Sequence, residues 1–174
     1  MERKAPRRTK ERILEVSLGM FNSFGEPNVT TNAIADEMNI SPGNLYYHFR
    51  NKDDIIADLF AAHEAAVVPL LGVPDDPPPG VEDLWFMLHV LFEKMRDYRF
   101  LYRDLDEITS RNRKLATRVA DLLRRIERTM VEFCRVLVRT GEMNASEREI
   151  AALAAFVAVV ATYSLSFQRI EAPA

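Results

Sequence analysis

The chain has 174 residues, about half of them apolar (48%), which is enough for a substantial core in one large or two small domains. Its single cysteine, Cys134, excludes an internal disulfide and any multi-cysteine zinc cluster, and fits a reducing, cytoplasmic setting. The formal net charge of −3 is unevenly spread: residues 1–12 hold six basic side chains (Arg3, Lys4, Arg7, Arg8, Lys10, Arg12) against two acids, leaving 17 basic and 24 acidic residues for the rest. A basic arm on an acidic body suits a polyanion touching one end, and a solvated charged terminus explains it equally well.

Periodicity predicts a first helix over residues 9–24, with Ile13, Leu14, Val16, Leu18, Met20, Phe21 and Phe24 as its apolar stripe. This stripe is amphipathic and does not read as the apolar stretch of a signal peptide. Gly25 and Pro27 end the helix. Thr30 or Thr31 can then cap a short helix that turns Ile34, Ala35 and Met38 inward. Asn39 stands where that helix must stop, in a position that calls for a left-handed residue. Ser41 caps the next helix, and Pro42 takes its first position, where a missing N–H costs nothing. That helix is over by Arg50. Asn51 can cap a fourth helix, with Asp53 and Asp54 favourable to its dipole and Ile55, Ile56, Leu59 and Phe60 buried, running to about Val68.

Residues 69–80, PLLGVPDDPPPG, hold five prolines and two glycines and read as a linker. Longer helices are predicted beyond it: 81–98, a shorter one over 100–110, then 113–140 ended by Gly141. A last helix over 147–168 is opened by the capping box of Ser146 and Glu149. The fold class predicted is all-α, divided as a helix-turn-helix domain over 1–52 and a helical regulatory and dimerisation domain over 53–174.

The stretch SPGNLYYHFRNKDD, 41–54, is where chemistry concentrates. Two helices joined by a tight turn at Asn39–Ile40 have the spacing of a helix-turn-helix. Leu45 and Phe49 form an i, i+4 pair aimed at the core. Asn44 and His48 form another on a different face, with Tyr47 beside them. Asn reads adenine bidentately, a tyrosine hydroxyl donates to phosphate, Gly43 permits close backbone approach, and Lys52 brings charge to the next helix start. Half-buried rings of an ordinary helix would explain Tyr46, Tyr47 and His48 singly. The coincidence of capped helices, turn asparagine, Ser-Pro-Gly and basic arm points to double-stranded DNA.

VTTNAIADEMNISPGNLYYHFRNKDDII, 29–56, resembles the DNA-binding segment of the tetracycline-repressor (TetR) family of bacterial regulators. The resemblance covers about a third of the chain, roughly residues 9–60. It implies a homodimer on a palindromic operator and a helical regulatory domain with an internal pocket for a small apolar or amphipathic effector, with repression as the default action. By analogy, Thr31, Ser41, Gly43, Asn44, Tyr46, Tyr47, His48 and Lys52 occupy DNA-facing positions. Family members often carry a further C-terminal helix, for which little chain remains after Phe167.

Residues 150–167 run 18 positions without a charge, long enough for a marginal membrane span. Six alanines together with Thr162, Tyr163, Ser164 and Ser166 favour close helix packing at a dimer interface instead, with no membrane partner. Trp85, His89, Phe92, Tyr102, Phe133 and Tyr163 are each either core or the lining of an effector cavity, His89 and Tyr163 being its polar handles. No catalytic role or cofactor is read. HEAAV, 63–67, starts like a zinc-protease helix but has Val67 where the second histidine belongs, and neither a G-x-S-x-G nor a phosphate-binding loop occurs. An all-helical interaction module without DNA binding is the alternative.

Overall fold

The structure is a computed structural model that describes residues 6–171, with side-chain surroundings for 8–167. Arg3 and Lys4 of the basic arm, and the side chain of Arg7, lie outside the described residues. Among the described residues nine α-helices follow one another: α1 (Pro6–Phe24), α2 (Thr31–Glu37), α3 (Pro42–His48), α4 (Lys52–Val67), α5 (Val81–Asp97), α6 (Arg99–Arg103), α7 (Leu105–Arg111), α8 (Arg113–Thr140) and α9 (Glu147–Glu171). Single turns of 3-10 helix stand at Glu26–Asn28 and Val68–Leu70. Among the described residues there is no strand, as the all-α reading requires.

The punctuation follows the caps. Oγ1 of Thr30 accepts from the Ala33 amide at 3.1 Å, Oγ of Ser41 from the Asn44 amide at 3.2 Å, and Oδ1 of Asn51 from the Asp54 amide at 2.9 Å. Each satisfies a donor that the first helical turn leaves without an intrahelical partner. Asn39 adopts φ 53°, the left-handed turn that lets α3 leave α2 at a sharp angle. Gly141 does the same at the end of α8 with φ 83°. Ser146 and Glu149 close their capping box, the Ser146 amide donating to Glu149 Oε2 at 2.8 Å.

One continuous core joins α1–α4 to α5–α8. Ile13, Phe21, Ile34, Leu45, Ile55 and Ile56 in the first half are fully buried, as are Leu91 and Phe100 in the second. A smaller cluster, with Met87, Met130, Phe133, Cys134, Ile150 and Ala154, sits where α5 meets the α8–α9 hairpin.

Three departures from the sequence expectations are informative. The helix predicted over 100–110 is two helices, α6 and α7, broken at Asp104. Its carboxylate is drawn away from the helix to accept the Glu26 amide at 2.9 Å, and the break lets α6 lie against α1 and α9 while α7 lies against α8. The charge-free part of α9 is not buried all round: of the stretch long and apolar enough to cross a membrane, 22% is buried within the chain. Ile150, Ala154 and Ala161 face inward, whereas Leu153, Phe156, Val160, Tyr163 and Phe167 are exposed along the opposite side. Finally, Trp85 and Tyr163 are not core residues, each being at least half exposed, as are their neighbours Phe86 and Phe156. They project from α5 and α9 on the sides away from the two clusters.

Candidate nucleic-acid interface

The recognition geometry is built from inside out. Leu45, within α3, and Phe49, the extended residue that follows it, are 0% and 3% exposed and fix one face of α3 to the core. The other face then has to point outward. Tyr47 is 80% exposed and Tyr46 46%, values too high for rings that the fold itself needs to bury. Ser41, Gly43 and Asn44 are exposed, and His48 is half-buried. The Tyr47 and His48 rings meet edge to face at 5.1 Å, so each limits the other's rotamers. Oγ1 of Thr31 and the hydroxyl of Tyr46 stand 2.9 Å apart, bracing the first turn of α2 against α3. A Cβ placed on Gly43 would approach only Ser41 Oγ, at 4.0 Å. The chain therefore has room for a side chain there.

Lys52 is the exception. Its ammonium lies 2.7 Å from Oε1 of Glu26 and donates to the Glu26 and Val29 carbonyls at 3.0 Å each. All three ammonium donors are engaged inside the chain. Lys52 therefore ties the α1–α2 connection to the start of α4, and the expected phosphate contact through its charge is displaced by a buried carboxylate. The residue that sequence reading passed over is Arg50, exposed just after α3, which borders a shallow groove of about 300 Å³ with Thr30, Thr31, Tyr46, Asn51 and Lys52. Only its position in the same stretch could have singled it out. In the basic arm, Arg8 and Arg12 are exposed, while Lys10 pairs with Asp58 at 2.7 Å and lies over the Phe49 ring.

With this geometry in hand, the likeness to other proteins has a physical meaning. Residues 13–59 match a family model described as bacterial regulatory proteins of the tetR family, and residues 63–174 match a second one described as a bacterial transcriptional repressor. The chain belongs to the tetR family of bacterial regulatory proteins. A TetR-family transcriptional regulator from Marinobacter aquaeolei is 36% identical, the likeness covering 93% of this chain and 80% of that one, with a TM-score of 0.88. HTH-type transcriptional regulators of several Staphylococcus aureus strains are 34% identical over 35% of this chain. This match spans 37% of their own length, little more than a third. A regulator from Saccharomonospora viridis, solved in complex with choline, shares the fold at 21% identity and a TM-score of 0.72.

In this tetR-family chain the two family models meet inside α4. The regulatory part does not gather the six residues proposed for an effector site. His89 and Phe92 line a cleft between α5 and α9, and Trp85 stacks on His89 with ring planes 6° apart. Tyr163 is exposed on the outer side of α9, and Phe133 is buried in the small cluster. Tyr102 is buried elsewhere, its hydroxyl 2.6 Å from Nε2 of His63. His63 is the polar residue that sequence reading dismissed: it is fully buried, and Tyr98 and Tyr102 surround its ring. Burial holds its pKa down to about 4 against a smaller opposing pull from Asp97, so the imidazole is neutral at pH 7. Burial likewise drives the Tyr102 hydroxyl well above the usual tyrosine range.

Between α1–α4 and α5–α9 specific polar contacts add to the shared apolar core. Asn22 Nδ2 donates to the Asp97 carbonyl at 2.8 Å, and its Oδ1 accepts from the Phe100 amide at 3.1 Å. Arg103 donates to the Phe21 carbonyl at 3.0 Å. Arg111 spans Glu26 and Asp53.

Proposed function

We propose that this chain is a sequence-specific DNA-binding transcriptional regulator, acting as a repressor that leaves a palindromic operator when a small apolar or amphipathic effector binds. One observation carries the reading: α3 presents Asn44, Tyr47 and Gly43 to solvent while Leu45 and Phe49 anchor it. A short helix so held enters the major groove with its first turns on base edges. In this reading Asn44 and Tyr47 meet bases, His48, Ser41 and the Thr31–Tyr46 pair meet the sugar-phosphate edge, and Arg50 supplies the charge that Lys52 does not.

A palindrome requires two copies. Besides Val159, α9 exposes the apolar residues Leu153, Phe156, Val160, Tyr163 and Phe167, which recur at spacings of 3, 4, 3 and 4. This is the seam of a two-helix packing, so each α9 lies against its twofold mate. The same stripe gives α9 a place to bury its apolar side without lipid, and a cytoplasmic location suits the function. Residues 1–52 form the reading head and 53–174 the regulatory and dimerisation part, with α4 as the lever between them.

An effector acts only if it favours one spacing of the two heads over the other. Asn22, Arg103 and Arg111 make rigid contacts through which movement of α6 and α7 reaches α1 and α4. Electrophoretic mobility shift with an operator duplex tests the reading: the dimer binds its palindrome at least a hundredfold more tightly than random duplex, and Tyr47→Ala abolishes that preference. Equal affinity for both duplexes would refute it.

A further inference from the structure

The cleft between the second half of α5, the start of α6 and the flank of α9 measures about 800 Å³, within the range of small-molecule sites. Phe92 and Leu165 form its apolar part, and both pack on the main core. Ser164 lines the α9 side. Arg96 and Arg99, from the two sides of the α5–α6 corner, also line it, and neither guanidinium has an ion-pair partner among the described side chains. Glu93 lines the same wall, with its carboxylate 3.6 Å from Nε2 of His89. Two guanidiniums without an ion-pair partner on one cleft wall attract an anion, and their planar forks suit an oxyanion head.

We propose that this cleft is the effector site, and that its ligand is an amphipathic anion whose oxyanion head bridges Arg96 and Arg99 while its alkyl tail lies over Phe92 and Leu165 towards Trp85. The assignment rests on the reading of the chain as an effector-released regulator. The residues also provide a route. Asp97 and Phe100 each directly follow one of the two arginines in sequence, and Asn22 of α1 clamps the backbone of both. Drawing Arg96 and Arg99 together around a head group bends the corner that Asn22 holds, and α1 belongs to the reading head.

Trp85 is the only tryptophan in the chain and stacks on His89 at the cleft mouth, which makes its fluorescence a direct reporter. The full chain, without DNA, is titrated with sodium decanoate, decyl sulfate, decanol and decyltrimethylammonium, all below their aggregation concentrations. At least one of the two anions gives a saturable change, and which one binds more tightly tells a carboxylate from a sulfate-like head. Decanol and the ammonium compound bind at least tenfold more weakly. Arg96→Gln/Arg99→Gln, with melting unchanged, loosens the anion at least tenfold and still shifts operator DNA like the parent. No saturable response to either anion, equal binding of the neutral or cationic probe, or an unaltered affinity in the double variant would overturn the assignment. Operator binding by the ligand-free protein is measured separately, so loss of the DNA reading and loss of the anion site are told apart.

Discussion

Nη2 of Arg111 stands 2.5 Å from Oε1 of Glu26, a carboxylate with no solvent exposure, while the Lys52 ammonium takes the same oxygen at 2.7 Å. The last residue of α7 thus shares a buried carboxylate with the first residue of α4. Such a carboxylate is tolerated only with its partners in place, and removal of one strands it. Lys52→Met therefore destabilises the fold by about 3 kcal/mol or more, since two carbonyls lose their donor as well. Urea unfolding reads this directly. Arg111→Ala, whose side chain is partly exposed and leaves Lys52 in place, costs less, about 1–2 kcal/mol.

The same relationship separates structural from DNA-facing charge. Arg50→Ala removes one phosphate contact per subunit, so the slope of log affinity against log salt becomes shallower by about 2 for a dimer. The folded fraction of Lys52→Met keeps the parental slope. A reversed pattern, with Lys52 governing the slope, would mean that its ammonium leaves Glu26 for DNA.

Gly43 and Tyr47 give a sharper contrast. The chain has space for a Cβ at Gly43, and alanine is the better helix former, so Gly43→Ala stabilises the protein by about 0.5–1 kcal/mol. It weakens operator binding by tenfold or more because the helix start can no longer approach the backbone of the duplex. Tyr47→Ala, at a position 80% exposed, changes stability by less than about 0.5 kcal/mol and also weakens binding at least tenfold. Melting and mobility shift on the same preparations decide both.

His63 sets a pH dependence. Its folded pKa is lowered to about 4 by burial, below the roughly 6.5 of an unfolded chain. The unfolded state therefore binds the extra proton between these values. The stability contributed by keeping the ring neutral is complete above pH 6.5 and is lost as the pH falls towards 4, by about 3 kcal/mol in total. Urea midpoints at pH 7.5 and 5 show the fall, and His63→Gln flattens it. A His63→Gln protein with the parental slope would place the proton elsewhere.

The exposed stripe of α9 predicts an interface that charge disrupts. Phe156→Glu or Val160→Glu converts the dimer to monomer in light scattering, leaves helical content unchanged and abolishes operator binding. A monomeric parent at micromolar concentration would remove the seam.

Local chemistry made much of this legible in the sequence. Thr30, Ser41, Asn51 and Ser146 announce helix starts because a short oxygen-bearing side chain caps from its own position, and Asn39 announces the turn for a similarly local reason. What stayed hidden depends on partners far along the chain. Lys52 looks like a phosphate contact until Glu26 is folded beneath it, and Asp104 looks like a helix residue until the Glu26 amide claims its carboxylate. His63 and Tyr102 meet across 39 positions, and no periodicity links them. Trp85 and Tyr163 read as core or cavity lining because aromatic residues usually are. Their exposure follows from the direction of α5 and α9, which only packing decides.

Selection of bound duplexes from a random pool tests the central claim most directly. The account predicts enrichment of an inverted repeat whose half-site centres lie about 34–36 Å apart on one face of the duplex, lost when Asn44 and Tyr47 are both alanine. Enrichment of no sequence, or of a site without twofold symmetry, would contradict it.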